Sequence, residues 1–521
     1  MKSIRIHLRS FWLVLILSIL VAFAGFALAW QETGDFCYAL DDSFIMMALA
    51  KNLAFHHIWA LSPHHFSSTA SSPLFAVLLA GVDLVFGEHI WMPLVINLLA
   101  LAGLYFFLVQ RCSRWGFLPW QTLCMLLGIF FFMPVPVLLF GSMEHLLHTF
   151  IALACLVLVL EKSDSAASWM FFLFGALLSG IRYEGLFEGG LLILWLWKSK
   201  KWLPGFLFGF GMLLPVCWLG FYSLAQGWYF LPNSLVLKAY GMNIQETGSF
   251  TGFLLSWLSK AASYPHCIVA MLALVLVRDI PRADKENNQA WTGIVLLTSL
   301  LHFMLARYGH VYRYEGYLMA LAWIAFWKTL IQSGSISGDF NFLVWLRNFP
   351  IQALLYLCLV FSPLYRFTES FFNGSKAIVN IYEQQVQTAR FVKAFYDSDT
   401  IGAIDVGAIA YYSKCRLEDL WGLGTLDFAR LKLENRYRPA EIDSVCRKLG
   451  IEVAIAYGNP IKEPGWVKAE SWAIQDNRVC ARDTVDFYAL NPVALKRLEK
   501  NLAEFRGKLP TSVLVIPNPL D

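Results

Sequence analysis

Apolar runs close to the ~20 residues that cross a bilayer recur along this chain from Phe11 to Tyr365, and they leave few fold classes open. Of the 521 residues, 58% are hydrophobic and only 15% charged, whereas soluble chains carry about 25% charge. That is too little charge to cover a water-facing surface of this size. The pattern predicts a polytopic α-helical membrane protein of about 11 transmembrane helices, with a small C-terminal α/β domain outside the membrane. A net charge of +4 gives no ground for a nucleic-acid partner. Where Lys and Arg fall matters more, because short loops that carry them stay in the cytosol.

Lys2, Arg5 and Arg9 precede the first run, Phe11 to Trp30. A signal peptide is the alternative, and Ala27-Leu28-Ala29 would suit a peptidase. The run is longer than a usual signal core, so an uncleaved first span with a cytoplasmic N-terminus is expected. Residues 31–87 then form the first outer loop, with Ser43–Phe55 and Pro73–Phe86 as helices lying at the interface. The later spans are His89–Gln110, Phe117–Val137, Leu146–Leu160, Trp169–Ile181, Leu186–Trp197, Trp202–Ala225, Phe253–Val277, Trp291–Ala306, Gly316–Leu330 and Phe349–Tyr365. Arg111, Arg114, Lys198 and Arg278 mark inner loops.

Past Arg366 charge becomes frequent and apolar runs shorten to strand length. This separates a transmembrane domain, 1–366, from an extracytoplasmic domain, 367–521. In the second, Thr400–Asp405, Val453–Tyr457 and Val485–Leu490 read as strands, and Pro439–Leu449 and Pro492–Arg506 as helices. The ten cysteines show no CxxC and no metal spacing. A disulfide among Cys415, Cys446 and Cys480 is open, and its connectivity cannot be read from sequence.

This topology delivers Asp41, Asp42, Glu144, Arg182, Glu184, Lys238, Arg307, Arg313 and Glu315 to one face of the membrane. Ionisable groups at membrane depth usually mark a site. Acids beside cations suit a reaction in which a carboxylate takes a proton from a hydroxyl and Arg or Lys holds a departing phosphate. Plainer roles stand beside these. Asp41 or Asp42 would serve as N-cap of the helix from Ser43, and Arg182 with Glu184 as an ion pair closing a hairpin of spans. Glu144 would sit at a helix start, while Lys238, Arg307 and Arg313 would snorkel to headgroups. His56-His57 and His64-His65 match no zinc motif, though His57 is a candidate substrate contact.

Several stretches, in order, carry a family likeness: Asp41-Asp42-Ser43-Phe44-Ile45, Lys51-Asn52-Leu53-Ala54, His57, Pro63 and Ser72-Pro73-Leu74. With them go Gly141-Ser142-Met143-Glu144, Arg182-Tyr183-Glu184-Gly185, Leu231-Pro232-Asn233-Ser234 with Lys238, and the tail segments Asp405–Tyr412 and Asp419–Leu423. Together they resemble the GT-C superfamily, multi-span glycosyltransferases that use polyprenyl-phosphate sugars. The likeness is to bacterial members related to protein mannosyltransferases and arabinofuranosyltransferases. Tyr183 stands where such a turn has proline, His64-His65-Phe66 replaces a Gly- and Glu-containing turn, and Arg313-Tyr314-Glu315 matches loosely.

The resemblance implies an inverting transferase in a bacterial inner membrane, with its C-terminal domain periplasmic. Asp41 would be the general base and Asp42 its support, or the ligand of an optional divalent cation. A polyprenyl-phosphate-linked sugar donor, a cell-envelope acceptor and the lipid bilayer are the partners it implies. The alternatives are a transporter or flippase of lipid-linked sugars, and a surface polysaccharide ligase or polymerase.

Overall fold

The computed structural model describes residues 2–164, 166–240, 251–252, 264–278, 285–306, 309, 311–332, 350–458 and 465–518. The chain is mostly helical, with a small sheet near its C-terminal end. Among the described residues, three helices are long and apolar enough to cross a bilayer: Arg5–Thr33, Met92–Arg114 and Trp202–Ala225. A fourth arises if Pro119–Phe132 and Val135–Gly141, bent by 48° at their break, count as one span. Pro134 lies in that break and has no backbone donor to continue the ladder.

Helices also stand at the other expected spans. His145–Glu161, Ser168–Ile181 and Gly185–Lys198 have 17, 14 and 14 residues. At ~1.5 Å per residue the shorter two reach about 21 Å, against a hydrocarbon core of about 30 Å. Helix length alone therefore does not give eleven spans. Pro265–Arg278, Lys285–Leu305, Gly316–Gln332 and Pro350–Ile381 complete the series. The first part of the expected span Phe253–Val277 lies outside the described residues. The two interfacial helices of the outer loop form as Asp41–His56 and Pro73–Phe86.

By its internal contacts the chain forms two compact units. The first comprises Met1–Gly25, Leu94–Val216 and Ile244–Phe372. Small residues let its helices approach closely. A Cβ on Gly175 would lie 2.2 Å from the Phe208 carbonyl oxygen, and one on Gly211 2.1 Å from that of Phe172. These two glycines bring Ser168–Ile181 and Trp202–Ala225 to backbone contact, as small residues do in membrane bundles. Gly128 likewise makes room for the Trp323 indole, whose Nε1 donates to the Met125 carbonyl at 3.0 Å.

The second unit comprises Phe26–Pro93, Cys217–Asn243 and Asn373–Asp521. Residues 31–87 thus belong with the C-terminal sheet, so the compact units do not divide at residue 366. The strands are β1 Thr400–Ala403, β2 Arg416–Asp419, β3 Val453–Ala456, β4 Val467–Ala473, β5 Thr484–Ala489 and β6 Leu514–Pro517. Their order is β2-β1-β3-β5-β4-β6. β2, β1 and β3 run parallel, whereas β5 pairs antiparallel with β3 and β4, and β4 with β6.

Alternation along β3 sends Ala454 and Ala456 to a core with Phe428, Leu431, Ile442, Cys446 and Trp466. The opposite face carries an aromatic cluster of Phe391, Trp472, Phe487 and Phe505, contributed by Gln387–Phe395, two strands and Pro492–Phe505. All ten cysteines are free, so the disulfide left open among Cys415, Cys446 and Cys480 is not formed. Cys446 instead packs in the apolar core.

Candidate functional site

The tandem aspartates begin the helix Asp41–His56, where its dipole favours negative charge. The expectation that one of them caps that helix is corrected. Its N-cap is Leu40, whose side chain makes no capping bond. Asp41 caps a different helix, Gly407–Tyr412, which lies 366 residues further along the chain. Its Oδ2 accepts from the Gly407 amide at 2.7 Å and its Oδ1 from the Ala408 amide at 2.8 Å.

Glycine at 407 is required by this approach, since a Cβ there would lie 2.1 Å from the Asp41 carbonyl oxygen. Gly407→Ala is expected to push Asp41 off its amides at a cost of about 1–3 kcal/mol. A lowered thermal midpoint of the solubilised protein checks this. Around the cap, Phe44 packs on the rings of Tyr411 and Tyr412, and Lys51 Nζ donates to the Tyr411 carbonyl at 2.8 Å. Two segments far apart in the sequence, the aspartate pair and Asp405–Tyr412, are here one arrangement.

Asp405 stands just past the carboxyl end of β1, and Tyr457 just past that of neighbouring β3. Open α/β sheets bind ligands outside such strand ends. The Tyr457 hydroxyl and the Gln385 Nε2 both donate to Asp405 Oδ2, the latter at 2.6 Å. Gln384, Gln385, Asp405 and Tyr457 line a narrow crevice there.

Burial pushes Asp41 up to about 8, the Asp405 charge adds to the push, and the two amide bonds oppose it. Asp405 is itself raised, chiefly by burial, with the Tyr457 and Gln385 bonds working against that. Asp42 raises both. Asp41 and Asp405 are therefore both harder to ionise than ordinary carboxyls, each held up chiefly by burial. Among the described residues no group of His, Cys, Asp and Glu is disposed to hold a metal ion.

Other expected site residues are accounted for individually. His57 is exposed and closes the helix Asp41–His56 in a left-handed conformation, its amide bonded to the Asn52 carbonyl. Lys238 lies on the helix Asn233–Tyr240, its side chain outside the described set. Arg307 lies outside the described residues.

Glu144, Arg182 and Glu184 meet within the first unit. Arg182 Nη1 reaches Glu144 Oε1 at 2.5 Å, and Nη2 reaches Glu184 Oε1 at 2.5 Å. Arg182 is 5% and Glu144 1% exposed. A guanidinium with both ends on carboxylates is poorly placed to take up a phosphate, so the pairing role fits Arg182 better than substrate contact.

Arg313 donates to Met143 Sδ at 2.7 Å and to the Tyr314 hydroxyl at 3.2 Å. Both arginines share the Tyr314 ring, with Arg182 at 5.6 Å and Arg313 at 4.9 Å from its centroid. A parallel arrangement holds Glu315, which pairs with Arg366 and accepts from the Gly309 amide at 2.7 Å. Glu315 is held down to about 2; burial works against this, and Arg366 and His266 outweigh it.

Sequence reasoning missed Asp405 as a site residue, together with Tyr457, Gln385 and Arg366. The one local signal was Asp-Val-Gly directly after an apolar strand, which reads as a turn unless its contact with Asp41 is known.

A family model described as a domain of unknown function (DUF8728) matches residues 379–488, a stretch that includes Gln385, Asp405 and Tyr457. No curated protein and no solved structure matches the chain.

Proposed function

We propose that this chain is an inverting glycosyltransferase of GT-C type. It would move a sugar from a polyprenyl-phosphate donor to a cell-envelope acceptor on the outer face of a bacterial inner membrane. One observation supports the reading: the buried Asp41 carboxylate, at the head of the tandem pair, is held on the Gly407 and Ala408 amides beside Asp405, where burial and the Asp405 charge raise its proton affinity. An acid tuned this way is an effective proton acceptor.

In the proposed step Asp41 takes the proton of an acceptor hydroxyl as that oxygen attacks the anomeric carbon. The new glycosidic C–O bond forms opposite the sugar–phosphate bond, which breaks to release polyprenyl phosphate. A single displacement inverts the centre, so one base suffices and no glycosyl-enzyme forms. Asp42 and Asp405 set the affinity of Asp41, and Lys238 is assigned to the leaving phosphate.

The eleven-span topology belongs to this proposal, with the N-terminus cytoplasmic and the sheet outside. A periplasm-active reporter fused after Asp521 is expected to be active. Activity of a cytosol-dependent reporter at that position would contradict the topology.

The rival reading, a transporter or flippase of lipid-linked sugars, draws on Glu188. This carboxylate lies within the helix Gly185–Lys198, is 1% exposed, and among the described residues its two oxygens have no hydrogen-bond partner. Glu188→Gln is expected to leave sugar transfer within about threefold of wild type; abolished lipid translocation in that variant would favour the rival.

A further inference from the structure

We infer that Gln385 and Tyr457 are positioning residues that hold the Asp405 carboxylate as the fixed neighbour of Asp41, and that a π-helical turn presents Gln385 for this. The inference deepens the transferase reading, and rests on it only for the role of Asp41 as base.

The helix Gln387–Phe395 is preceded directly by a π-helical turn, Tyr382–Val386, all five residues of which are buried. Such a turn bonds residue i to i+5 and so takes in an extra residue, and it is found mostly at functional sites. Successive side chains on it diverge by less than the ~100° of an α-helix. Gln384 and Gln385, neighbours in sequence, therefore both reach the groups at the ends of β1 and β3. β1 has β2 on one side and β3 on the other, so the chain order reverses between β1 and β3. Open α/β sheets place their sites at that reversal.

The hydrogen bonds orient one another. Gln384 Nε2 donates to the Arg482 and Asp483 carbonyls at 3.1 and 3.2 Å. Carbonyls only accept, so these two fix the amide nitrogen, and Gln384 Oε1 is left to face Gln385. That oxygen accepts from Gln385 Nε2 at 3.1 Å, while Gln385 Oε1 accepts from Cys480 Sγ at 3.4 Å. Gln385 thus presents its nitrogen to Asp405 Oδ2, at 2.6 Å.

Tyr457 has one proton to give. Its hydroxyl meets both Gln384 Oε1, at 3.1 Å, and Asp405 Oδ2. A charged acceptor takes such a proton in preference to a neutral one. With two donors converging on Oδ2, that oxygen has no place for a proton of its own. The arrangement recognises the carboxylate and not the acid. The space these groups enclose is about 10 Å³, room for roughly one water molecule and not for a sugar ring. They therefore act on Asp405 and not on a substrate.

The titratable groups that face Asp405 are Asp41, Asp42, Tyr457 and Cys480. Charged groups on the elements packed around it are engaged with other partners: Glu383 with Ser512, Arg390 with Asp35, and Asp486 with Ser471 and Tyr488. Against burial and the Asp42 charge, the Tyr457 and Gln385 bonds favour the ionised form of Asp405.

The test follows the carboxyl infrared bands of the full chain in detergent through a pH series, with Asp41→Asn and Asp405→Asn to assign them. Tyr457→Phe and Gln385→Leu each remove one donor with little change of volume. Each is expected to raise the pH at which Asp405 loses its proton by about one pH unit or more, the worth of a hydrogen bond to a charged group. The two together should raise it further. In the double variant Asp405 stays uncharged over more of the pH range, so the inflection of the transfer rate should move to lower pH, toward that of Asp405→Asn. Thermal denaturation reads the fold. Tyr457→Phe keeps the ring and its packing, and decides alone if Gln385→Leu does not fold.

The positioning role is overturned if Asp405 titrates in these variants as in wild type. It is overturned equally if Asp405 titrates at lower pH, the result expected were Asp405 the donor in these bonds. A lowered thermal midpoint with the Asp405 titration unmoved would show bonds that hold only the fold, and also ends the role. A shifted Asp405 titration in a chain that transfers no sugar would remove the transferase reading and leave the positioning role standing. Sugar transfer with the Asp405 titration unmoved would do the reverse.

Discussion

Asp41→Asn is expected to lower transfer from a polyprenyl-phosphate sugar by ~10²–10⁴-fold, the contribution of a positioned general base. The substitution keeps the size of the side chain and one of its two acceptor oxygens. The helix Gly407–Tyr412 therefore loses one capping bond and not the whole contact. For wild type the rate should rise with pH until Asp41 has ionised and then level off above about 8. Asp405→Asn removes a charge that raises Asp41, so the inflection should move to lower pH.

Stability has the opposite sign. The carboxyl's ordinary value is 3.8, and in the fold it is raised to about 8. Between those values the folded chain holds a proton that the unfolded chain has released. This group's contribution therefore falls as pH rises through the window. Asp41→Asn should flatten that part of the pH–stability curve, as read from thermal midpoints in a pH series. A wild-type rate independent of pH from 6 to 9 would exclude Asp41 as the base.

The largest effect on folding is expected at Arg182. Arg182→Met leaves Glu144 and Glu184 without the guanidinium between them, and Glu144 is 1% exposed. Removing one partner of a buried ionic group costs about 3–5 kcal/mol, because the remaining charge stays desolvated. The measured result should be a sharply reduced yield and thermal midpoint of the solubilised protein. Combining Arg182→Met with Glu144→Gln and Glu184→Gln should recover much of the loss, since neutral amides tolerate burial better than unpaired carboxylates. An unchanged midpoint in the single variant would show that these groups are solvated.

Legibility in the sequence differed between elements for physical reasons. The apolar runs gave helices such as His145–Glu161, Ser168–Ile181 and Trp202–Ala225 to within a residue or two, because periodicity and length are local, whereas Pro350–Ile381 runs well past the expected Tyr365. Strands β1, β3 and β5 were read for the same reason, being short apolar segments bounded by turn residues. β2 escaped because Arg416-Leu417-Glu418-Asp419 looks like a charged loop. Its acids are buried with partners: Glu418 accepts from the Thr425 hydroxyl and Arg416 Nε, and Asp419 from the amides of Trp421 and Gly424. β4, Val467–Ala473, carries Lys468, Glu470 and Ser471, and β6 is a largely exposed edge ending in proline.

The candidate site shows the limit more sharply. Asp41 stood out as an acid at the head of an apolar helix, and Glu144 and Arg182 as charges in otherwise apolar surroundings. Their partners did not stand out. Asp41 and Gly407, 366 positions apart, and Glu144 and Arg182, 38 apart, are bridged only in the folded chain. No local pattern marks Asp405 as the carboxylate whose charge adds to the effect of burial on Asp41.

The central claim is that this chain consumes a lipid-linked sugar by transferring it. Mass spectrometry of polyprenyl-phosphate sugars, in cells lacking the chain and in cells complemented with wild type or Asp41→Asn, tests it most directly. The account predicts that one such lipid accumulates on the outer leaflet without the chain. Wild type should clear it, and Asp41→Asn should not. An unchanged lipid pool, or accumulation confined to the cytosolic leaflet, would contradict the account.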